Sequence, residues 1–350
     1  MIPSLHLLPT LEAAAGLALC LASIAFLTLV SATALRLLRA ADVDLDQRFS
    51  WARYALLVTP ALGPWLWFIS SAAHTATAQA ALELCASAGG FCQDALALTI
   101  AMSTLCALAI GRRLWRDVKH RASVHRLPEN HSAYKDLSSI IAHEPTLAAW
   151  RDRIVLTDGD CGRLCTLGIL RPRIECCVHL LSELSHTELR AALMHEAEHA
   201  RALDPLLFLL LLTARALNPL ATLLEVDFAR WHATRELASD RLAHLRGADP
   251  LALAGAIIKV SKHRRPRTSS PMLAAHLGGD YNSALIEARV HALLAMASQQ
   301  EHEERVTTTS SLWTLSTSGF LLALFALQPH LSSSLLCVEL HHLLDILPLG

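Results

Sequence analysis

The stretch His195-Glu196-Ala197-Glu198-His199 carries two histidines four residues apart, with a glutamate directly after the first. On an α-helix, residues i and i+4 lie on one face about one turn apart, so both imidazoles can reach a single metal ion. Glu196 would then lie beside a metal-bound water, as in zinc peptidases. The pattern predicts His195 and His199 as zinc ligands and Glu196 as general base. The alternative is a surface helix with incidental histidines, because the chain has 19 of them.

The residues around this stretch predict the helix that it needs. Ser185, followed three residues later by Glu188, is typical of a capping box at a helix N-terminus. The run from Leu189 to Leu203 contains no glycine or proline, and Asp204-Pro205 is expected to end the helix. The two histidines are therefore predicted to lie on one continuous helix.

A third ligand is needed, since catalytic zinc usually has three protein ligands and one open position. Glu236, 37 positions after His199, is the predicted third ligand. Asp240 lies one helical turn further on, and Asp204 lies five residues after His199. Both are predicted to accept a hydrogen bond from a ligand histidine and so fix its tautomer. The alternative for Glu236 and Asp240 is a solvated helix face with arginines beside them.

The motif also predicts a peptidase mechanism, and the other polar residues near it are predicted to be surface residues. Zinc would lower the pKa of its water from about 16 toward about 7, and Glu196 would pass the proton to the leaving amine. The group that stabilises the oxyanion is not assigned. Glu198 is interpreted as a charge on the helix surface. The same interpretation applies to four other nearby residues: His179, His186, Arg201 and His232.

The composition indicates a membrane protein, with 53% hydrophobic and 17% charged residues. Apolar blocks long enough to cross about 30 Å of hydrocarbon are predicted as four transmembrane helices. They cover residues 13–35, 54–73, 93–111 and 312–329. Four buried core helices are a weaker alternative for blocks with so little charge.

Arginine and lysine placement orients these spans. The basic residues follow the first span and then extend from Arg112 to Arg305, and none occurs before Arg36 or after Arg305. By the positive-inside rule, both termini are outside and the zinc motif is cytoplasmic, in a bacterial-type inner (plasma) membrane. Cys85 and Cys92 fall in the outer loop, where a disulfide is chemically possible. The net charge of -1 gives no argument for nucleic-acid binding.

The expected fold is mainly α: a polytopic membrane protein with a cytoplasmic, zincin-like α+β metallopeptidase domain. Residues 1–111 form a membrane domain, 112–305 the peptidase domain, and 306–350 the fourth span with a short external tail. The apolar block 206–224 must be a hairpin, because a single crossing would separate the ligands across the bilayer. Arg215 and Asn218-Pro219 are expected to make its turn. Whether the hairpin dips into the membrane is left open.

The clearest strand patterns are Arg153 to Leu156 and Thr166 to Cys177. Because Pro172 has no N–H to donate to a neighbouring strand, the segment around it is predicted to be an edge strand. Ile169, Leu170 and Arg171 are therefore predicted to pair with an extended substrate. The alternative is a small sheet that only supports the helix.

The basic linker from Lys262 to Ser270 is interpreted as a flexible cytoplasmic loop or, alternatively, as a self-cleavage segment that includes Arg264 and Arg265.

A set of short motifs resembles the BlaR/MecR-type antirepressor peptidases. They are Gly168 through Ile174, Leu189 through His199, Asp204-Pro205-Leu206, Leu217-Asn218-Pro219-Leu220 and Glu236 through Asp240. The resemblance covers about residues 1–330 in layout and is specific between about 165 and 242. It implies an integral-membrane zinc endopeptidase, with one Zn2+ per chain, that cleaves a cytoplasmic DNA-binding repressor in response to an external signal, often after self-cleavage. The oligomeric state is left open, a homodimer included.

The chain departs from the best-known members of that family, which carry a penicillin-binding sensor domain after the last span. Here about 20 residues follow the last predicted span, so β-lactam sensing is not expected. A quality-control membrane peptidase of the HtpX or CAAX-prenyl-protease type is the first alternative, and a catalytically silent receptor or scaffold is the second. The Arg-Pro segment and Leu217-Asn218-Pro219-Leu220 favour the antirepressor group.

Overall fold

A computed structural model describes residues 8–40, 50–62, 100–101, 103–115, 119, 125–128, 130–142, 144–158, 164–263, 275–276 and 283–299. The predicted fourth span, Cys85 with Cys92, and Arg264 with Arg265 lie outside these residues, as do parts of the second and third spans.

The protein is mainly helical with a small sheet, which confirms the expected fold class at this level. The helices are α1 (Leu8–Ala40), α2 (50–62), α3 (103–115), α4 (Ser132–Ala142), α5 (Pro145–Ala148), α6 (His179–Glu183), α7 (His186–Arg201), α8 (Asp204–Leu217), α9 (Glu225–Leu245), α10 (Pro250–His263) and α11 (Ser283–Gln299). Short 3-10 turns occupy Arg151–Arg153 and Ala221–Leu224.

The strands are β1 (His125–Arg126), β2 (Ile154–Asp158), β3 (Leu164–Leu167), β4 (Arg173–Cys177) and β5 (Ala275–His276). They form one sheet in the order β1-β2-β4-β3-β5, in which β2 and β4 are parallel and the other neighbours are antiparallel. Strands β3 and β4 form a hairpin closed by the pair Leu167 and Arg173.

The prediction of an edge strand at Ile169, Leu170 and Arg171 is wrong. These residues form the turn between β3 and β4, and β4 lies inside the sheet. Gly168 starts the turn with a φ of +103°, a left-handed conformation that suits glycine. Pro172 therefore lies at the end of the turn between β3 and β4 and does not interrupt an edge strand.

Substituting Gly168 with alanine is expected to destabilise the protein by about 1–3 kcal/mol, because the positive φ is strained for any other residue. An added Cβ would also lie 2.6 Å from the Arg171 carbonyl oxygen. Gly247→Ala is the matched control: its φ is +100°, but its Cβ would meet nothing closer than 3.9 Å. Thermal unfolding should show the larger loss at Gly168, and equal losses would exclude a contribution from the clash.

Helix α7 forms the centre of the fold, because almost every residue from Leu189 to Ala200 is buried. Its alanines allow the sheet, α9 and α10 to pack closely around it. The predicted capping box is confirmed: the Ser185 hydroxyl accepts from the Glu188 N–H at 3.2 Å, and Glu188 accepts from the Ser185 N–H at 2.7 Å. Leu203, at a φ of +53°, then turns the chain into α8.

The apolar block after α7 turns at Asn218-Pro219, where the Asn218 side chain accepts from the Leu220 N–H at 2.9 Å. Arg215, predicted to contribute to this turn, lies inside α8 instead. The chain returns through the 3-10 turn into α9, and α9 packs on α7. The two halves of the predicted metal site are thereby brought to the same place.

The N-terminal helices pack against this hairpin. The Asn218 amide donates to the Thr28 hydroxyl of α1 at 3.1 Å, and the Tyr54 hydroxyl of α2 donates to the Leu207 carbonyl at 3.2 Å. A second apolar cluster, centred on Trp231, joins α1 and α2 to α8 and α9. Within the part of the chain that the structure describes, Leu21–Ala40 is the one segment long and apolar enough to cross a membrane.

Candidate metal centre

Three predicted ligands meet between α7 and α9. His195 and His199 are one turn apart on α7, Glu236 lies on α9, and all three are fully buried. The two Nε2 atoms are 3.0 Å apart, and each lies 3.6 Å from one carboxylate oxygen of Glu236. Atoms that share one tetrahedral zinc at its usual bond lengths lie about 3.4 Å from one another. The group could therefore hold a metal ion.

Two carboxylates lie beside the other nitrogen of each histidine. Asp240 Oδ1 lies 2.8 Å from His195 Nδ1, and Asp204 Oδ2 lies 2.6 Å from His199 Nδ1. A carboxylate on Nδ1 keeps the proton there and leaves the Nε2 lone pair for a metal. Arg235 in turn contacts Asp204 Oδ1 at 2.8 Å. Asp240 and Asp204 thus occupy the positions predicted for them.

Arg289 of α11, which no sequence motif indicates, contacts both acidic residues of α9. Its Nη1 lies 2.7 Å from Glu236 Oε2, while Nε and Nη2 donate to the two Asp240 oxygens at 2.8 and 2.7 Å. The side chain is fully buried. One signal is present in the sequence: Arg289 shares a helical stripe with Ile286 and Leu293, where an apolar residue is the usual choice.

Glu196 lies in the same buried space, held by β3. The Thr166 hydroxyl is 2.8 Å from both Glu196 Oε2 and the Glu196 carbonyl oxygen. The other carboxylate oxygen, Oε1, has no hydrogen-bond partner within the described part of the chain. Burial raises the pKa of Glu196, and the nearby histidines and Thr166 oppose this. Nothing in the sequence around Thr166 indicates that contact.

The buried charges shift the pKa values of two of the ligands. Burial alone would raise the pKa of Glu236 and of Asp240, but Arg289 and the neighbouring histidines together more than offset it, and both pKa values fall. Burial would lower the pKa of His195, yet Asp240 and Glu236 beside it raise that pKa to about 9. Glu236 is therefore ionised at neutral pH, and His195 is a strong base on which a metal ion can replace a proton.

The charge balance also fits a divalent cation. Four buried carboxylates surround the two histidines, and two guanidinium groups contact them: Glu196, Asp204, Glu236 and Asp240, with Arg235 and Arg289. When all four carboxylates are ionised and a metal ion has displaced the proton of His195, two of these negative charges are left over. Buried charges are costly unless paired or bound to metal, so a divalent ion would complete the site.

The other polar residues singled out in the sequence lie at different distances from the centre. Glu198, interpreted as a surface charge, is buried and paired with Arg201 and with Arg246 Nε at 2.8 Å, so that interpretation is wrong. The remaining three are histidines. His179 and His186 lie away from the centre, at the starts of α6 and α7, whereas the Nε2 of His232 is 3.8 Å from Glu236 Oε1.

These residues define a buried His-His-Glu centre with a further glutamate on the same helix as the two histidines. No model of a known protein family matches the chain, and no curated protein is similar to it. The chemistry of the centre, together with the sequence motifs, is what supports a functional proposal.

Proposed function

We propose that the protein is an integral-membrane zinc endopeptidase. The observation that carries the proposal is the buried triangle of His195, His199 and Glu236, with Glu196 one residue after the first ligand. Two histidines and one carboxylate are the donor set of many catalytic zinc sites. A general base belongs beside such a set, and Glu196 has one carboxylate oxygen with no partner among the described residues.

When bound, zinc supplies Lewis-acid chemistry by activating a water molecule and polarising the scissile carbonyl. Glu196 Oε1 takes a proton as the water oxygen bonds to the carbonyl carbon. The carbon–nitrogen bond then breaks, and Glu196 returns the proton to the leaving amine. Thr166 holds the opposite oxygen of Glu196 throughout. A raised pKa suits this residue, because it must both accept and release a proton near neutral pH.

The proposed substrate is a cytoplasmic protein, specifically a DNA-binding transcriptional repressor. The motif series shared with the antirepressor peptidases supports this substrate class. Four spans with both termini outside are the proposed topology, and the basic residues around the spans support it. Among the described residues, the segment Leu21–Ala40 is the one long and apolar enough to be such a span.

Self-cleavage between α10 and α11 is part of the proposal, and β5 supports it. Ala275 of β5 pairs with Thr166 of β3, and Thr166 contacts Glu196. Neighbouring strands lie about 4.8 Å apart, so this part of the chain runs beside the general base. An extended peptide lying beside β3 in the place of β5 is the expected substrate geometry. The segment with Arg264 and Arg265 precedes β5 by about ten residues.

Metal content and repressor cleavage test the proposed function together. The purified protein should contain close to one zinc per chain and should cut a small helix-turn-helix repressor encoded beside it. A purified protein that contains far less than one zinc per chain, and whose metal content does not fall when His195 is changed, would instead support a receptor or scaffold. Zinc without cleavage of that repressor would favour a quality-control peptidase.

An immunoblot of the end-tagged protein tests self-cleavage separately. A fragment should appear under inducing conditions from the wild type and be absent from Glu196→Gln. A fragment unchanged by that substitution would assign the cut to another protease.

Replacing Thr166 with valine is expected to shift the acid limb of the pH–activity profile to higher pH. The hydroxyl stabilises the ionised form of Glu196, so its loss raises a pKa that burial already raises, and activity is lost at higher pH as the solution is acidified. Thr157→Val is the matched control, because the buried Thr157 hydroxyl contacts the Cys176 carbonyl and not Glu196. An unshifted limb in Thr166→Val would remove Thr166 from the site's chemistry.

A further inference from the structure

We propose that Arg289 is a positioning residue for the metal centre, so that α11 completes a site whose ligands come from α7 and α9. This inference rests on the zinc site proposed above. Arg289 lies 94 positions after His195, outside every motif that identifies the ligands. Its place at the centre follows from tertiary packing alone.

The guanidinium group of Arg289 contacts two carboxylates at once. Its Nε and Nη2 hold both oxygens of Asp240 at 2.8 and 2.7 Å, and Nη1 lies 2.7 Å from Glu236 Oε2. Nη2 is also 3.4 Å from His195 Nε2. One planar group thus fixes a ligand carboxylate and the carboxylate behind a ligand histidine. Lysine could not do this, because its ammonium is a compact point charge without a planar fork.

The contacts of Arg289 with these carboxylates are buried. Arg289, Glu236 and Asp240 are all fully buried, so water cannot replace any of these contacts. The carboxylates are one helical turn apart on α9, and the arginine reaches both from another helix. A buried pair that loses one partner leaves an uncompensated charge, which is strongly unfavourable. The orientation of Glu236 therefore depends on α11 staying in place.

The packing of α11 supports this role. Leu293, one turn after Arg289, is fully buried in the core that also contains α7 and α10. Ile286, Val290 and Met296 pack against the same core. The helix is therefore anchored on both sides of the arginine, which can hold its position without contacting substrate.

Metal binding by the full-length protein tests the inference, with Zn2+ and Co2+ alone as probes. Arg289→Gln and Arg289→Lys should both lower metal affinity about 10- to 100-fold, the range found for partners behind metal ligands. Both should also change the visible spectrum of the Co2+ form, which reports ligand geometry. The lysine variant retains the charge, so it remains informative if the glutamine variant does not fold.

Arg246→Gln is the matched control, because Arg246 also pairs with a buried carboxylate, that of Glu198, which is not a proposed ligand. It should leave affinity and spectrum unchanged. Wild-type affinity and spectrum in Arg289→Lys would overturn the positioning role while leaving the proposed enzyme intact. A wild-type protein that binds neither ion would instead overturn the proposed function.

Discussion

Replacing Glu196 with glutamine is expected to lower peptide-bond cleavage about 10²- to 10⁴-fold, the usual contribution of a general acid–base residue. Glutamine has nearly the same shape but cannot accept the proton at Oε1. The amide can still accept from the Thr166 hydroxyl, which contacts Glu196 Oε2 at 2.8 Å. Bound metal should therefore stay near one ion per chain, and the loss should fall on the rate of the chemical step.

Glu198→Gln is the matched control for this substitution, because Glu198 lies in the same motif and is also buried. Its partners are Arg201 and Arg246, so its loss should reduce stability while the folded protein keeps its activity. Single-turnover cleavage of the repressor by both variants separates the two effects. Equal rate losses would show that Glu196 acts through the fold and not as a base.

Replacing Glu236 with alanine is expected to weaken zinc binding by more than about 10²-fold, beyond the range found for partners behind ligands. Two histidines alone leave the ion without its third protein ligand. Cleavage should fall below detection at ordinary zinc concentrations. Metal analysis after dialysis, followed by zinc titration, measures the change. A glutamine variant covers the case in which the alanine protein does not fold.

Glu225→Ala provides the control on the same helix, since Glu225 starts α9 and pairs on the surface with Arg215 at 2.8 Å. It should bind zinc like the wild type. Undiminished zinc in Glu236→Ala would mean that another residue is the third ligand. His232, whose Nε2 lies 3.8 Å from Glu236 Oε1, would be the first to examine.

The parts of the site that could be predicted from sequence are those set by helical spacing. His195 with His199, and Glu236 with Asp240, are each four residues apart, so a helix places each pair on one face. The need for a third ligand then requires the intervening apolar block to turn back. Helical spacing and the requirement for a third metal ligand are therefore sufficient to predict these residues.

The remaining contacts depend on tertiary packing. Thr166 and Arg289 reach the centre from a strand and a helix that have no fixed spacing to the motif. The surface role predicted for Glu198 is wrong. A glutamate is usually solvated, but the ion pairs with Arg201 and Arg246 allow this one to be buried. The edge strand predicted at Ile169 is wrong because a proline near a strand pattern indicates an edge strand or a turn equally well.

The order of the helices along the chain has a consequence for the proposed self-cleavage. Residues 264–282 separate α10 from α11, and every proposed ligand and the general base precede them, whereas Arg289 follows them. A self-inflicted cut in this interval would leave two polypeptides that share one centre, joined by helix packing and a buried ion pair. Such a cut would make the proposed enzyme a dissociable pair. Its period of activity would then be limited by the rate at which the smaller piece departs.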